Sequence, residues 1–186
     1  FTHSAWNPYY FNYMNKKDYN SIDHDYSLIW RMTLLVAIVI AVFGYELGYL
    51  LTKGGDYLTT LYVIPILVVG YCFYQWSYVY LRNTGYAKRT IWNAYCVLAS
   101  GVINIGLNIL LVPRLNELGA AIATSISFII LMFLSYLSNR YIIKEYTPQI
   151  IIFIRLFVLC LPLFAACGLI NVWGVTNIWY LIVVKS

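Results

Sequence analysis

The chain has 186 residues, of which 62% are hydrophobic and only 10% are charged, and its formal net charge is +5. Apolar runs recur from end to end, which excludes an ordinary soluble domain and predicts an integral membrane protein. Because the basic residues are scattered over several loops, nucleic-acid binding is a poor explanation of the positive charge.

Five complete membrane spans are predicted from windows of about 20 mainly apolar residues, the length that crosses a hydrocarbon core as a helix. They cover 28–52, 59–81, 90–112, 118–139 and 148–170. The opening residues have the character of the end of an earlier span, and 174–184 is apolar but too short for an ordinary crossing. The expected fold is an all-α integral membrane protein, a polytopic helical bundle with partial spans at both ends. Since the chain begins at Phe1 without an initiator Met, we interpret it as part of a longer protein.

Basic residues fall mainly in alternate loops, which predicts the orientation of the spans because Lys and Arg in short loops are retained in the cytoplasm. The segments MNKKDYNSIDHDYS, RNTGYAKR and NRYIIKEYTP are expected to be cytoplasmic, and TKGGDYLTT, PRLNELG and INVWGVTN to face outward. The cytoplasmic side then holds Lys16, Lys17, Arg31, Arg82, Lys88, Arg89, Arg140, Lys144 and Lys185, against Lys53 and Arg114 on the other.

A polar stripe runs along the span at 90–112, because residues three or four positions apart share one face of a helix. It consists of Asn93, Ser100, Asn104 and Asn108. An amide in hydrocarbon without a partner costs several kcal/mol, so these side chains are expected to face another helix or a water-filled cavity. Helix packing is the more common use of such residues, and the three asparagines are also candidates for a substrate path.

Small residues repeat at intervals of four in the next span, at Gly119, Ala123 and Ser127, a pattern that lets helix backbones approach closely. Between the two spans, Pro113 cannot donate a backbone hydrogen bond and is expected to end the first helix, and Asn116 is a candidate N-cap of the second. The sequence therefore predicts an antiparallel helical hairpin with a short, outward-facing link. Bulky replacements at Ala123 or Ser127 are expected to impair the function of the protein and to leave its membrane insertion intact.

Arg155 is the one basic residue placed well inside a predicted span, seven positions beyond Pro148. It either extends its guanidinium to the cytoplasmic interface or lines a cavity that receives an anionic group. We therefore take Arg155 as a candidate for the substrate path.

No catalytic or cofactor-binding pattern emerges from the sequence. It contains no Ser, His and Asp set, no carboxylate pair within a span and no Gly-rich phosphate loop. The cysteines lie within apolar spans without metal-type spacing, so no metal or cofactor is expected. The sequence does not predict an enzyme.

The order of these features resembles a known family. The segments NPYYFNYMNKKDYNSID, GYELGYLLTKGGDYLTTLYVIPILVVGYCF and INIGLNILLVPRLNELGAAIATSIS resemble, in this order, the C-terminal half of bacterial polysaccharide flippases of the Wzx type. These belong to the multidrug, oligosaccharidyl-lipid and polysaccharide exporter superfamily. The most specific part of the resemblance is the series Asn104, Asn108, Pro113, Gly119, Ala120, Ala121, Ala123, Thr124 and Ser127. The family often has a glycine in the middle of the hairpin, where this chain has Leu115 and Asn116; asparagine tolerates a left-handed backbone better than most residues.

The resemblance implies part of a MATE-like transporter whose two helical bundles alternate access to a central cavity. Residues 1–147 would form the C-terminal bundle, with the end of one span and four complete ones, and 148–186 would add late membrane helices. The expected function is transfer of an undecaprenyl-diphosphate-linked oligosaccharide from the inner to the outer leaflet, for O-antigen, capsule or exopolysaccharide synthesis. The expected location is the bacterial inner membrane, and the expected partners are this lipid-linked substrate, membrane lipids and other polysaccharide-assembly proteins.

Two alternatives stay open. A drug or cation antiporter of the same superfamily would carry carboxylates in its first-half spans. A membrane glycosyltransferase or polymerase of the same pathway would carry a long outward loop with Arg, His or acidic clusters, which this sequence lacks.

Overall fold

The computed structural model describes residues 2–52, 63–144, 146, 154–155, 157–158 and 162, with side chains described from residue 6 onward and not at 45–52. This part of the chain forms α1 (Thr2–Lys16), α2 (Tyr19–Thr52), α3 (Ile64–Tyr86), α4 (Ile91–Ser138) and a π-helix (Asn139–Ile143). The prediction of an all-α fold is confirmed for these residues. Three stretches, Tyr19–Gly44, Ile64–Tyr86 and Ile91–Ile143, are long and apolar enough to cross a membrane, as expected of a multi-pass membrane protein.

The starts of α2 and α3 differ from the predicted span boundaries, because a side-chain cap at α2 and a proline in the first turn of α3 set them rather than hydropathy. Asp18 precedes α2, and its carboxylate accepts hydrogen bonds from the Ser21 amide at 3.2 Å and the Ser21 hydroxyl at 2.6 Å. These bonds lower the pKa of Asp18, so the cap is complete above the ordinary pKa of 3.8 and is lost as the pH falls through the lower folded value. Pro65 lies in the first turn of α3, where its missing amide is harmless, so it starts this helix and does not kink it.

α4 contains the predicted hairpin. Its backbone is helical except at Asn116, where φ is 49° and ψ is −127°, and there the chain reverses between a first arm at 91–115 and a second arm at 117–138. The arms are antiparallel, since the Ser100 hydroxyl donates a hydrogen bond to the Ser127 carbonyl at 2.7 Å. The expectation that Pro113 ends the first helix was wrong: Pro113 lies within α4, and the reversal comes three residues later.

The predicted spans 28–52, 59–81, 90–112 and 118–139 thus fall largely on α2, α3 and the two arms of α4. The predicted span 148–170 is described only at five positions, all helical, and 174–184 lies outside the described residues.

Three helical segments end at lysines with a left-handed backbone: Lys17, Lys88 and Lys144, with φ between 55° and 59°. At the end of α1 the Lys17 amide donates to the Met14 carbonyl at 3.1 Å, and the next amide donates to the Tyr13 carbonyl at 3.0 Å, which is a Schellman motif. The same pair of bonds ends α3 at Lys88. A cation at the carboxyl end of a helix complements its dipole.

The core lies in the seam between α2 and α3, where buried residues recur every three or four positions on both helices. Trp30 and Trp76 stack at its centre with ring centroids 4.9 Å apart. The remaining buried members on these two helices are Leu34, Ala37, Ala41, Val68, Cys72 and Tyr80. The opposite face of α2 carries exposed apolar side chains, as expected for a surface in contact with lipid.

The other face of α3 packs against the second arm of α4 at Gly70. A Cβ atom at this position would lie 2.8 Å from the Cα of Ser125 and 2.6 Å from its hydroxyl oxygen. That hydroxyl donates a hydrogen bond to the Ile66 carbonyl at 2.9 Å, one turn before Gly70. The absence of a side chain at Gly70 therefore sets the distance between these two helices.

Replacing Gly70 by alanine is expected to lower the free energy of unfolding by about 1–3 kcal/mol, because the backbone of Ser125 has to move away. The matched control is Gly101→Ala, since a Cβ there meets open space. Thermal unfolding of the full-length protein in detergent measures both variants. Equal melting temperatures for the two would contradict the proposed close contact.

The hairpin reversal offers a second test. Asn116 has a backbone conformation that glycine adopts without strain, so Asn116→Gly is expected to raise the free energy of unfolding by about 1 kcal/mol. The same substitution at Asn12, an exposed position inside α1, is expected to lower it slightly, because glycine is a poorer helix former. A lower free energy of unfolding in both variants would show that the backbone of Asn116 is unstrained.

Candidate functional site

Asn104 and Asn108 lie deep in the first arm of α4, where Asn104 is about 20 Å along the helix from Ile91 at about 1.5 Å per residue. The Asn108 Nδ2 group donates to the Asn104 backbone carbonyl at 2.9 Å and to the Asn104 Oδ1 atom at 3.0 Å. Both side chains are half-buried. The two amides therefore form a pair within their own helix, and among the described residues they make no hydrogen bond to a neighbouring helix.

The other two members of the predicted stripe take part in contacts between helical segments. Ser100 is buried and bonds to the second arm through Ser127. The Asn93 Nδ2 group donates to the Leu81 carbonyl of α3 at 3.0 Å, and the Thr84 hydroxyl donates to the Asn93 Oδ1 atom. The stripe therefore has two parts. Asn93 and Ser100 bond to neighbouring segments, and the amide pair of Asn104 and Asn108 lies closer to the reversal.

The small residues of the second arm face protein. Ala123 and Ser127 are buried, and the Ser127 hydroxyl donates to the Ala123 carbonyl at 2.7 Å. Gly119 is buried against the first arm, where a Cβ would lie 2.5 Å from the Leu111 carbonyl oxygen. At these three positions the second arm packs closely against its neighbours.

Arg155 lies in a helical segment, and its side chain is exposed. Two positions later, Phe157 packs edge-on against Phe73 of α3, with ring centroids 5.0 Å apart. The described contact of this segment is therefore with the α2–α3 core, whereas Asn104 and Asn108 lie on the first arm of α4.

An arginine that the sequence places in a cytoplasmic loop is instead buried near the C-terminal end of α3. Arg82 is 9% exposed, and its guanidinium lies 4.6 Å from the ring centre of Trp6, 5.6 Å from that of Tyr10 and 5.9 Å from that of Tyr26. The guanidinium also donates to the Tyr26 hydroxyl at 3.1 Å. One cation therefore joins α1, α2 and α3 through three aromatic rings, which we call the Arg82 cage.

Polar contacts extend the Arg82 cage to the segment after the π-helix. The Tyr10 hydroxyl donates to Asn83 Oδ1, and the Asn83 Nδ2 group donates to the Tyr146 carbonyl at 2.6 Å. Partial burial, and next a hydrogen bond with Asp23, raise the pKa of Tyr146 above its ordinary value of 10. The hydrogen bond between Tyr146 and Asp23 holds this segment to the start of α2.

The Arg82 cage could be predicted only in part from the sequence. A helix that starts at Pro65 and spans the bilayer reaches Arg82, so the helix-start signal already places this residue inside α3. Trp6 and Tyr10 share one face of α1, being four positions apart. Nothing in the spacing pairs α1 with α3, because their contact is 70 or more residues apart in sequence.

Comparison with known proteins identifies no relative: no protein-family description, curated protein or solved structure matches this chain. Within the described ranges, no group of three or more His, Cys, Asp or Glu side chains is arranged to hold a metal ion. The interpretation of the site therefore depends on its own geometry.

The conservative variant Arg82→Lys is expected to lower the free energy of unfolding by about 1–2 kcal/mol, because an ammonium group cannot stack on the rings and bond to Tyr26 together. Arg114→Lys, at an exposed position beside the reversal, makes the same chemical change and is expected to have no effect. Chemical denaturation in detergent compares the two. Full stability of Arg82→Lys would mean that charge alone suffices in the cage.

Proposed function

We propose that this chain is the C-terminal part of a polysaccharide flippase. In this proposal the complete protein moves an undecaprenyl-diphosphate-linked oligosaccharide from the inner to the outer leaflet of the bacterial inner membrane, for O-antigen, capsule or exopolysaccharide assembly. The described helices would belong to the second bundle of a MATE-like transporter that works by alternating access. The proposal rests on the resemblance of the ordered sequence segments and on the amide pair of Asn104 and Asn108.

The amide pair is the observation that carries the proposal. Its internal bonds use the Asn108 Nδ2 group and the Asn104 Oδ1 atom, and both side chains keep some exposed surface. An amide needs more partners than this, and hydrocarbon offers none. A water-filled path through which sugar hydroxyl groups pass would supply such partners.

The contacts of the hairpin are those expected of a helical unit that moves as a rigid body. Its two arms are joined by the Ser100 bond and by the close contact at Gly119, so they would move together. The second arm is also fixed to α3 at Gly70 and Ser125, which would transmit a displacement of the hairpin to the rest of the bundle. Alternating access needs rigid groups of helices that rotate as units.

Arg155 and Asn93 are the remaining candidates for the substrate path. The exposed guanidinium of Arg155 has the charge that a diphosphate requires, so we propose that it faces the cavity in the complete protein. Asn93 bonds to α3, and we propose that it holds the hairpin in place. Membrane lipids and other polysaccharide-assembly proteins are the proposed partners.

The test is complementation. The full-length gene is expressed, together with its cognate sugar pathway, in a bacterium that lacks its own flippase, and surface glycan and the lipid-linked intermediate of the inner leaflet are measured. Restored surface glycan supports the proposal. A well-expressed protein that restores none, but extrudes drugs in an ion-dependent way, would favour the antiporter.

Within this assay, the double variant Asn104→Leu with Asn108→Leu is expected to reduce surface glycan at least about tenfold, because it removes the polar wall of the path. Expression and membrane insertion should be unchanged, since in the described part of the chain the pair bonds only within its own helix. The matched control is Ile105→Leu, which introduces the same side chain at the same depth on an exposed face of the arm. A normal amount of surface glycan in the double variant would show that the amide pair is not part of the substrate path.

A further inference from the structure

A groove of about 370 Å³ lies between the two arms of α4, at the end away from the reversal. Its walls are apolar and aromatic and comprise Trp92, Tyr95, Ala99, Leu134, Leu137 and Tyr141. This volume is within the range of about 300–1,000 Å³ that is typical of small-molecule sites. The described part of the 154–162 segment packs elsewhere, through Phe157 on α3.

Three basic residues lie near the end of the groove that is lined by Tyr141 and Ile142. Arg89 precedes the first arm, and its Nη1 group donates to the carbonyl of Ile142, which also lines the groove, at 3.0 Å. The guanidinium of Arg140 is exposed, and it bonds to the Tyr136 hydroxyl at 2.7 Å and lies 5.9 Å from the ring of Tyr141. Lys144 is exposed two positions beyond Ile142. The sequence contains no acidic residue at 88–99 or 134–144, and Glu145 follows directly after Lys144.

Two small polar side chains lie inside the groove, the Cys96 thiol and the Ser138 hydroxyl. Both are buried, and they bond to each other. The groove therefore offers an apolar slot with basic residues beside it.

We propose that this groove binds one anionic phospholipid of the cytoplasmic leaflet, with an acyl chain between the arms and the phosphate at Arg89 and Arg140. The basic residues of this end are predicted to be cytoplasmic, and that leaflet supplies anionic lipids in contact with the protein. Basic pockets between membrane helices on the cytoplasmic side are a recurrent form of phospholipid site. The site is distinct from the amide pair, and it does not depend on the proposed transport function.

Native mass spectrometry of the full-length, delipidated protein in detergent tests this site. Dioleoyl phosphatidylglycerol and dioleoyl phosphatidylcholine have the same chains and differ in charge, and the first is expected to be retained at least about fivefold more strongly. Ala99→Phe fills the groove and should abolish retention of the tightly bound lipid. Ala94→Phe adds the same ring at an exposed position outside the groove and should leave it unchanged.

The charge is tested separately. Arg140→Gln is expected to weaken phosphatidylglycerol binding about fivefold, the usual contribution of one surface cation, while Arg114→Gln at the opposite end of the hairpin has no effect. Equal retention of the two lipids, or full retention in Ala99→Phe, would overturn the proposal. Preferential displacement of phosphatidylglycerol by undecaprenyl diphosphate would also overturn it, by assigning the groove to a polyprenyl chain. Because no transport is measured, failure here is independent of the complementation result.

Discussion

Helices in a bilayer are not driven together by the hydrophobic effect, because lipid chains are as apolar as the side chains that they would replace. The described structure depends instead on the close approach of α3 and the second arm of α4 at Gly70. The missing side chain there brings the Ser125 hydroxyl within 2.9 Å of a carbonyl of α3. The same combination of a small residue and a serine bond joins the two arms of the hairpin, at Gly119 and at Ser100.

The end of the bundle that is predicted to be cytoplasmic is built on a different principle. There aromatic rings and amides replace small residues at the contacts between helices. The Arg82 cage joins three helices, and the network continues through Asn83 to the backbone of Tyr146. Close packing thus holds the middle of the bundle, and a polar aromatic network holds this end.

The amide pair and the groove occupy different levels of the same hairpin. Asn104 and Asn108 lie in the half of the first arm nearer the reversal, with hydrogen-bonding capacity that their own helix does not exhaust. The groove begins near Trp92 and combines apolar walls with a basic rim. The first arrangement suits a polar group in transit, and the second suits a lipid that stays bound. A lipid wedged between the arms would in turn influence how the hairpin moves.

The sequence by itself determined the membrane class, most of the spans and the hairpin, because hydropathy and small-residue spacing act locally along one helix. It also placed Gly119, Ala123 and Ser127 on one face. It wrongly placed the end of the first arm at Pro113, because proline is a general signal for a helix end. Asparagine tolerates the positive φ of the reversal at Asn116, but this residue type alone does not predict a reversal there. Only the tertiary structure decided that Asn93 and Ser100 bond to neighbouring segments while Asn104 and Asn108 bond to each other. It alone showed that Arg82 is buried in a cage and that Gly70 sets a helix spacing. These properties depend on which helices contact each other, and local sequence patterns do not predict contacts between residues far apart in the chain.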